Sequence, residues 1–336
     1  MQNVYKILKK IIKLFFSHPS KQINFFKLII CYFFQNSFVK TKPISLMIEP
    51  CNYCNLQCSS CPVGDKRIKK EKRIMTFVEF KKIIDEVGDY LFYIVLWNWG
   101  EPFLNKELPQ MIKYAKEKNI SVVTSTNGHY LDSNTARQII DSKLDEIIIA
   151  VDGLSQKTYQ KYRKGGNLNT VIKGIKNLVR LKEQLNAKYP KIRLQFLAME
   201  HNEHELPKLK EFSNKLGVDV CVVKTYNKYY SESELDKFEP KNKQFSRYGV
   251  NYKKQYKCKQ IYFGININSD GNVVPCCYDV FEEYKLGNIF KDGGVIKIWN
   301  SKELRDFRKY ISKNRNNIVM CKECYYAKTK NVVNKW

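Results

Sequence analysis

A chain of 336 residues with 43% apolar side chains can bury a core large enough for two domains, which excludes a disordered tail and a disulfide-stapled miniature. Its 59 Lys and Arg against 33 Asp and Glu leave a net charge of +26, a balance that favours anionic partners: nucleic acid, an acidic membrane surface or phosphorylated substrates. Lys, Asn and Ile are abundant throughout, so a compositional bias explains the charge equally well, and no basic patch interleaved with aromatics stands out. The 11 cysteines fall at CxxC-like spacings without a cleavable secretory signal. They point to metal binding in a reducing compartment, hence the cytosol, rather than to disulfides.

Residues 4–16 put Ile7, Leu8, Ile11, Ile12 and Phe15 on one helical face and Lys6, Lys9, Lys10 and Lys13 on the other. After His18-Pro19-Ser20 a second apolar stretch runs from Ile23 to Phe38, broken by Lys27 and Gln35. It is too short and too interrupted for a membrane span. Residues 1–40 are therefore expected to form a basic amphipathic helical extension. It either lies in a membrane interface or caps one end of the protein's own fold.

From Pro43 strand-like and helix-like segments alternate. Strands are expected at 44–49, 93–99, 120–125, 146–151, 192–198 and 219–224, with amphipathic helices near 76–89, 107–118, 133–142, 168–187 and 204–216. Such alternation predicts parallel strands covered by helices. Six repeats are too few for the usual eight-stranded barrel, and suit an α/β partial (β/α)6 TIM-like barrel with its active face at the strand C-termini. Residues 41–225 are assigned to this barrel. Residues 226–336 are assigned to a polar, tyrosine-rich linker followed by a small C-terminal iron–sulfur domain, with a hairpin turn expected at Asp270-Gly271. Loops 62–74 and 227–257 are the expected substrate-facing segments.

Directly after the first strand, Glu49 to Pro62 carries Cys51, Cys54, Cys58 and Cys61. The spacing Cys54-x3-Cys58-x2-Cys61 lets one loop wrap three corners of a [4Fe–4S] cube, although a ferredoxin-like or zinc loop has similar spacing. Further along come Gly100-Glu101-Pro102, Ser125-Thr126-Asn127-Gly128, Val151-Asp152-Gly153 with Thr158-Tyr159 and Arg163, and Asn202. Taken together these motifs resemble the radical S-adenosylmethionine (radical SAM) enzymes over residues 44 to about 224. Two positions depart from that family: Ser60 stands where an aromatic is frequent before the third cysteine, and Ala150 where a serine is usual.

The resemblance implies that Cys54, Cys58 and Cys61 hold a [4Fe–4S] cluster whose open iron chelates SAM. It also implies that Gly100, Glu101, Pro102, Asn127, Asp152 and Arg163 bind the SAM cofactor. Glu101 would accept a charge-assisted hydrogen bond from the SAM ammonium, and Arg163 would pair with its carboxylate. The competing reading of Arg163 is a surface charge at a helix end. Cys51 is read as a structural thiol, and Cys31 and Cys221 as core thiols.

The C-terminal pattern of Cys258, Cys276, Cys321 and Cys324, with Leu286-Gly287-Asn288 and Ile298-Trp299-Asn300-Ser301 between, resembles the SPASM/twitch-like auxiliary-cluster extension. Four thiolates saturate one cube, so one auxiliary [4Fe–4S] cluster is expected, with structural zinc as the alternative. Cys277 could replace Cys276 or donate a hydrogen atom, and packing is the favoured reading.

The resemblance implies a radical SAM oxidoreductase. It would cleave SAM reductively to a 5′-deoxyadenosyl radical and abstract hydrogen from a sugar, polyol or related small molecule, with the auxiliary cluster accepting an electron. A peptide-modifying, maturase-like enzyme is the alternative within enzymes. A non-catalytic iron–sulfur electron carrier or nucleic-acid-binding protein is the alternative of another class, although nucleic acid is not the expected partner. The implied partners are a small-molecule or peptide substrate, a reductant such as flavodoxin or ferredoxin, and a peripheral membrane through residues 1–40. The expected location is cytoplasmic with a membrane-associated option.

Overall fold

The computed structural model describes residues 19–228, 237–247, 257–322, 324 and 332–336. The helix expected at 4–16 and much of the 227–257 linker lie outside the described residues. In chain order the elements begin with α1 (Pro19–Phe34), β1 (Ser45–Ile48), α2 (Phe77–Val87) and β2 (Tyr93–Val95). There follow α3 (Leu108–Glu117), β3 (Ser121–Thr126), α4 (Ser133–Asp141), β4 (Glu146–Ala150), α5 (Gln156–Tyr162) and α6 (Leu168–Gln184). The barrel portion ends with β5 (Lys191–Ala198), α7 (Leu206–Leu216) and β6 (Val220–Thr225). Beyond it lie α8 (Gln260–Phe263), β7 (Gly264–Ile267), β8 (Asn272–Val274), β9 (Gly287–Asn288), α9 (Val295–Trp299), α10 (Lys302–Asn314), α11 (Val319–Lys322) and β10 (Val332–Lys335).

The helices form where the pattern and the caps agree. At the start of α2 the Thr76 hydroxyl accepts from Glu79 N–H at 3.2 Å and the Glu79 carboxylate accepts from Thr76 N–H at 2.9 Å, a reciprocal capping box. The helix then buries Phe80, Ile83, Ile84 and Val87, the i, i+3, i+4, i+7 face that packs on the sheet.

β1 to β6 run parallel in the spatial order of their sequence, and the sheet is open rather than closed. The C-terminal region extends both of its edges. β7 pairs parallel with β1 and continues through the antiparallel β8 and β9, while β10 lies antiparallel on β6. The expected hairpin turn is present, with Gly271 at φ +81° supplying the left-handed conformation. The C-terminal region thus shares the barrel's sheet and covers edges that would otherwise be exposed.

Strand β5 shows how the barrel divides its faces. Ile192, Leu194, Phe196 and Ala198 are buried, while Arg193, Gln195 and Leu197 alternate with them and line the interior chamber. α1 docks by its polar and apolar anchors: Lys21 Nζ donates to Leu91 O at 2.9 Å, Asn24 exchanges hydrogen bonds with the Lys42 backbone at 2.9 and 2.8 Å, and Leu28 is fully buried. α1 is thus anchored to the fold by one face. The opposite face leaves Ile23, Phe26, Ile30, Phe33 and Phe34 exposed. Among the described residues no helix is long and apolar enough to cross a membrane.

Candidate cluster and cofactor site

The cysteine loop is held at the C-terminal end of β1 by its neighbours on both sides. Glu49, at the strand's end, is fully buried and accepts from Trp99 N–H at 3.2 Å and Ser269 N–H at 3.3 Å. It therefore ties β1 to the loop after β2 and to the C-terminal hairpin, and burial lifts its carboxyl from 4.5 to about 7. Gly100 presses on the same loop. A Cβ there would stand 2.0 Å from Cys51 O, so only glycine allows this approach. Cys51 turns its thiol to Tyr53 O at 3.4 Å and stays out of the chamber, whereas Cys54, Cys58 and Cys61 all line it.

Behind the loop the Ser60 hydroxyl meets the Tyr162 hydroxyl at 2.9 Å, and Tyr162 packs with Tyr226 and Phe238. Aromatic support for the loop thus comes from α5 and the linker, at a position where the chain itself has serine. Burial pushes the Cys54 thiol up to about 12 and Cys58 to about 11. Such thiols are neutral at physiological pH, and a metal that takes them as thiolates displaces protons.

The motif residues converge on this loop in two distinct ways. Glu101 is buried, and its carboxylate accepts from Phe103 N–H at 3.1 Å, Thr126 Oγ1 at 2.7 Å and Asn127 N–H at 2.8 Å. It latches the loop after β2 to the loop after β3 and keeps at most one lone-pair site for another donor. Pro102 is buried and opens the short helical turn Pro102–Leu104 that fixes this latch. Asn127 Nδ2 donates to Asn55 Oδ1 at 2.8 Å and approaches Cys54 Sγ at 3.5 Å. Arg163 is no surface charge: it faces the chamber, ion-pairs Asp152 and points Nη1 at Cys58 Sγ, 3.8 Å away. Asp152 is 0% exposed, accepts from Leu197 N–H at 2.7 Å and does not itself line the chamber. Burial works against the Arg163 charge, and the Asp152 carboxylate together with Cys58, Tyr162 and Tyr159 more than offsets it.

The chamber has a volume of about 610 Å³. Away from the cysteine loop its wall is built by the inward side chains of β4, β5 and β6, with Arg247 from the linker and Cys277 and Gln260 from the C-terminal region. The cations Arg193, Lys224 and Arg247 were not singled out from the sequence, although polar residues alternating along β5 were a readable signal. In a parallel strand buried on both faces an apolar run is the norm. Burial first, then Arg193 and Arg247, bring the Lys224 ammonium down to about 8. The 62–74 loop does not reach this wall; Arg73 Nε donates to Ser269 O at 2.7 Å and Lys70 pairs with Glu282, which binds the loop to the C-terminal hairpin.

A second cavity, of about 320 Å³, holds the thiols of Cys258, Cys276, Cys321 and Cys324. Its other walls are mostly apolar, including Phe25, Ile44, Phe307 and Met320, and burial pushes Cys258 up to about 11 and Cys321 to about 12. Arg315 faces the same cavity, where the surrounding thiols favour its charge against burial. Cys277 turns away into the chamber, so neighbouring cysteines serve different cavities. Among the described residues no three Cys, His, Asp or Glu side chains converge closely enough for a single metal ion. The four cysteines line one cavity, a donor set that can hold a [4Fe–4S] cluster. The N-terminal trio, lining an open chamber, fits a cluster with one free corner.

Comparison with known families matches residues 48–186 to the Radical SAM superfamily and residues 258–325 to the SPASM iron–sulfur cluster-binding domain. Residues 48–186 thus form a radical SAM domain and residues 258–325 a SPASM domain. A probable GTP 3′,8-cyclase from Methanococcus maripaludis is 26% identical over 170 residues, covering 51% of this chain and 55% of that protein. The chain thus spans about half the length of that curated relative. Among solved structures, Streptococcus suis SuiB bound to precursor peptide SuiA aligns with TM-score 0.64 at 16% identity, over 90% of this chain and 73% of the other. BtrN in complex with AdoMet and 2-DOIA aligns with TM-score 0.51 at 15% identity, over 87% of this chain and 98% of the other. The radical SAM and SPASM domains bring [4Fe–4S] clusters and SAM as cofactors.

Proposed function

We propose that this radical SAM protein is an oxidoreductase acting on a small polar substrate, a sugar, polyol or related molecule, held in the chamber. The observation that carries this reading is the shared chamber. Three cysteine thiols, the Glu101 latch and Arg163 open onto the same space as a polar wall suited to a small substrate. When bound, the N-terminal cluster with SAM supplies a 5′-deoxyadenosyl radical that abstracts hydrogen, and one auxiliary cluster supplies an electron acceptor.

In this reading Cys54, Cys58 and Cys61 hold the first cluster, and Cys258, Cys276, Cys321 and Cys324 the second. Arg163 takes the SAM carboxylate, and Asp152 positions Arg163. Gly100 and Pro102 shape the loop that Glu101 latches to Asn127, leaving backbone and one carboxylate lone pair for the SAM ammonium. The test is anaerobic incubation of reconstituted protein with SAM and a strong reductant. Formation of 5′-deoxyadenosine is expected, and its absence overturns the reading. Peptide modification is the second reading, supported by the fold shared with peptide-bound SuiB; turnover of a peptide but not of small polyols would favour it.

The exposed face of α1 supports a peripheral role at a membrane. Ile23, Phe26, Ile30, Phe33 and Phe34 would bury in the interface, with Lys27 beside them meeting anionic headgroups. Sedimentation with anionic vesicles is expected and should weaken with salt. Equal recovery in the supernatant with and without vesicles overturns it.

A further inference from the structure

Oxidation of an alcohol releases a proton as well as a hydrogen atom and an electron. Once hydrogen is abstracted from carbon, the hydroxyl on that carbon must lose its proton for the carbonyl to form. Among the described residues no histidine lines the chamber, and the other ionisable groups there are mostly committed. Glu101 spends its oxygens on the latch to Phe103, Thr126 and Asn127. Glu146 Oε1 stands 2.6 Å from Arg193 Nη2, and arginines do not give up their protons.

Lys224 differs from these. It is the last residue but one of β6, so it sits at the strand's C-terminal end, where this architecture places its chemistry. Its register partner on β5 is Leu197, which lines the chamber and packs against the apolar group around Cys58. Lys224 lines the chamber too, and among the described residues no hydrogen bond or ion pair holds its ammonium. Cys277, next in the chain to Cys276, is near enough for its charge to act on this amine. The amine thus shares one chamber with the cysteine loop and with the thiol beside an auxiliary ligand. We propose that Lys224 is the general base of the oxidation: its neutral amine takes the proton of the substrate hydroxyl as the carbonyl forms. The balance closes on two electrons. One hydrogen atom passes from carbon to the 5′-deoxyadenosyl radical, one electron passes to the auxiliary cluster, and one proton passes from oxygen to Nζ. This rests on the oxidation reading and deepens it by requiring a hydroxyl on the carbon that loses hydrogen. Burial, then Arg193 and Arg247, bring the amine down to about 8, against the opposing effects of Cys277 and Glu146. A base works best when its pKa lies near the operating pH, and a lysine reaches that range only when desolvated or crowded by other cations.

The test uses the reconstituted holoprotein under anaerobic conditions with myo-inositol, glucose and sorbitol as probes. It reads oxidised product per 5′-deoxyadenosine formed, a ratio from which SAM cleavage cancels. Lys224→Gln should lower the ratio roughly a hundredfold or more, the size of a general-base contribution, while 5′-deoxyadenosine still forms. Lys224→Arg keeps the charge and should be equally impaired. A ratio restored by arginine makes Lys224 an electrostatic anchor and overturns the proposal, as does a ratio unchanged in either variant. In the wild type the ratio should rise with pH and level off above about 8, and a flat profile overturns the proposal. Should the variants misfold, acetic anhydride labelling of the wild-type holoprotein across pH serves instead, with Lys224 read by mass spectrometry against the exposed Lys215. Its reactivity should reach half-maximum at about 8, and a midpoint at the ordinary lysine value of about 10.4 overturns the proposal. The two readings fail differently. No oxidation of any probe while 5′-deoxyadenosine forms strikes the small-substrate reading and the base with it, whereas oxidation untouched by the variants strikes the base alone.

Discussion

The two cysteine sets are built on opposite plans. The N-terminal three come from one short loop and open onto a polar chamber of about 610 Å³. The C-terminal four come from segments far apart in sequence and enclose a mostly apolar cavity of about 320 Å³. A contiguous loop can wrap only part of a cube, so it leaves a corner facing the chamber where Glu101, Asn127 and Arg163 gather. The dispersed set can surround its cluster completely, which suits electron transfer and leaves no corner for a ligand. Between them stands the Cys276-Cys277 pair, one thiol in each cavity.

Removing the loop's thiols should break the comparison most severely. Cys54→Ala, Cys58→Ala and Cys61→Ala together should lower iron from about eight per chain to about four and end 5′-deoxyadenosine formation; iron unchanged by assay contradicts the loop's role. Cys258→Ala with Cys324→Ala should remove a similar amount of iron, about four, yet leave SAM cleavage in place while substrate oxidation stops. Next in size is Asp152→Ala, which strips a buried arginine of its counter-charge. A loss of roughly 3–5 kcal/mol is expected from such a broken pair, read as a lower denaturant midpoint together with weaker SAM binding; an unchanged midpoint contradicts the buried pair. Smaller still is the contrast between neighbours: Cys276→Ala should shed auxiliary iron and Cys277→Ala should keep it, and the reverse result would exchange their assignments.

A further effect concerns pH. Glu49 titrates near 4.5 in the open chain and at about 7 in the fold, so the unfolded state gives up its proton first. Stability should therefore fall as pH rises from about 4.5 to about 7 and level off above. Glu49→Gln should flatten urea midpoints measured across that window, and parallel slopes in both proteins contradict the assignment.

The barrel's strands and helices were legible because each buried face repeats at its own period, as in Phe80, Ile83, Ile84 and Val87 of α2. The cysteine loop and its partner motifs were legible because they are local in sequence. What the sequence hid is non-local. Nothing in Gly264–Ile267 announces that β7 pairs with β1, since that choice depends on which sheet edge is free. Arg193 and Lys224 lie far apart in the chain and reach one wall only through strand register, and Arg247 joins them from the linker. The inner role of Asp152 was equally hidden, because a motif says that a carboxylate is present and not which cation it holds.

The central claim is that SAM meets the three-thiol cluster and not the four-thiol one. Electron paramagnetic resonance of the two half-loaded variants tests this directly. In the protein lacking Cys258 and Cys324, SAM should change the spectrum of the reduced cluster. In the protein lacking Cys54, Cys58 and Cys61 the spectrum should be the same with and without SAM. A SAM-dependent change confined to the second protein would contradict the account.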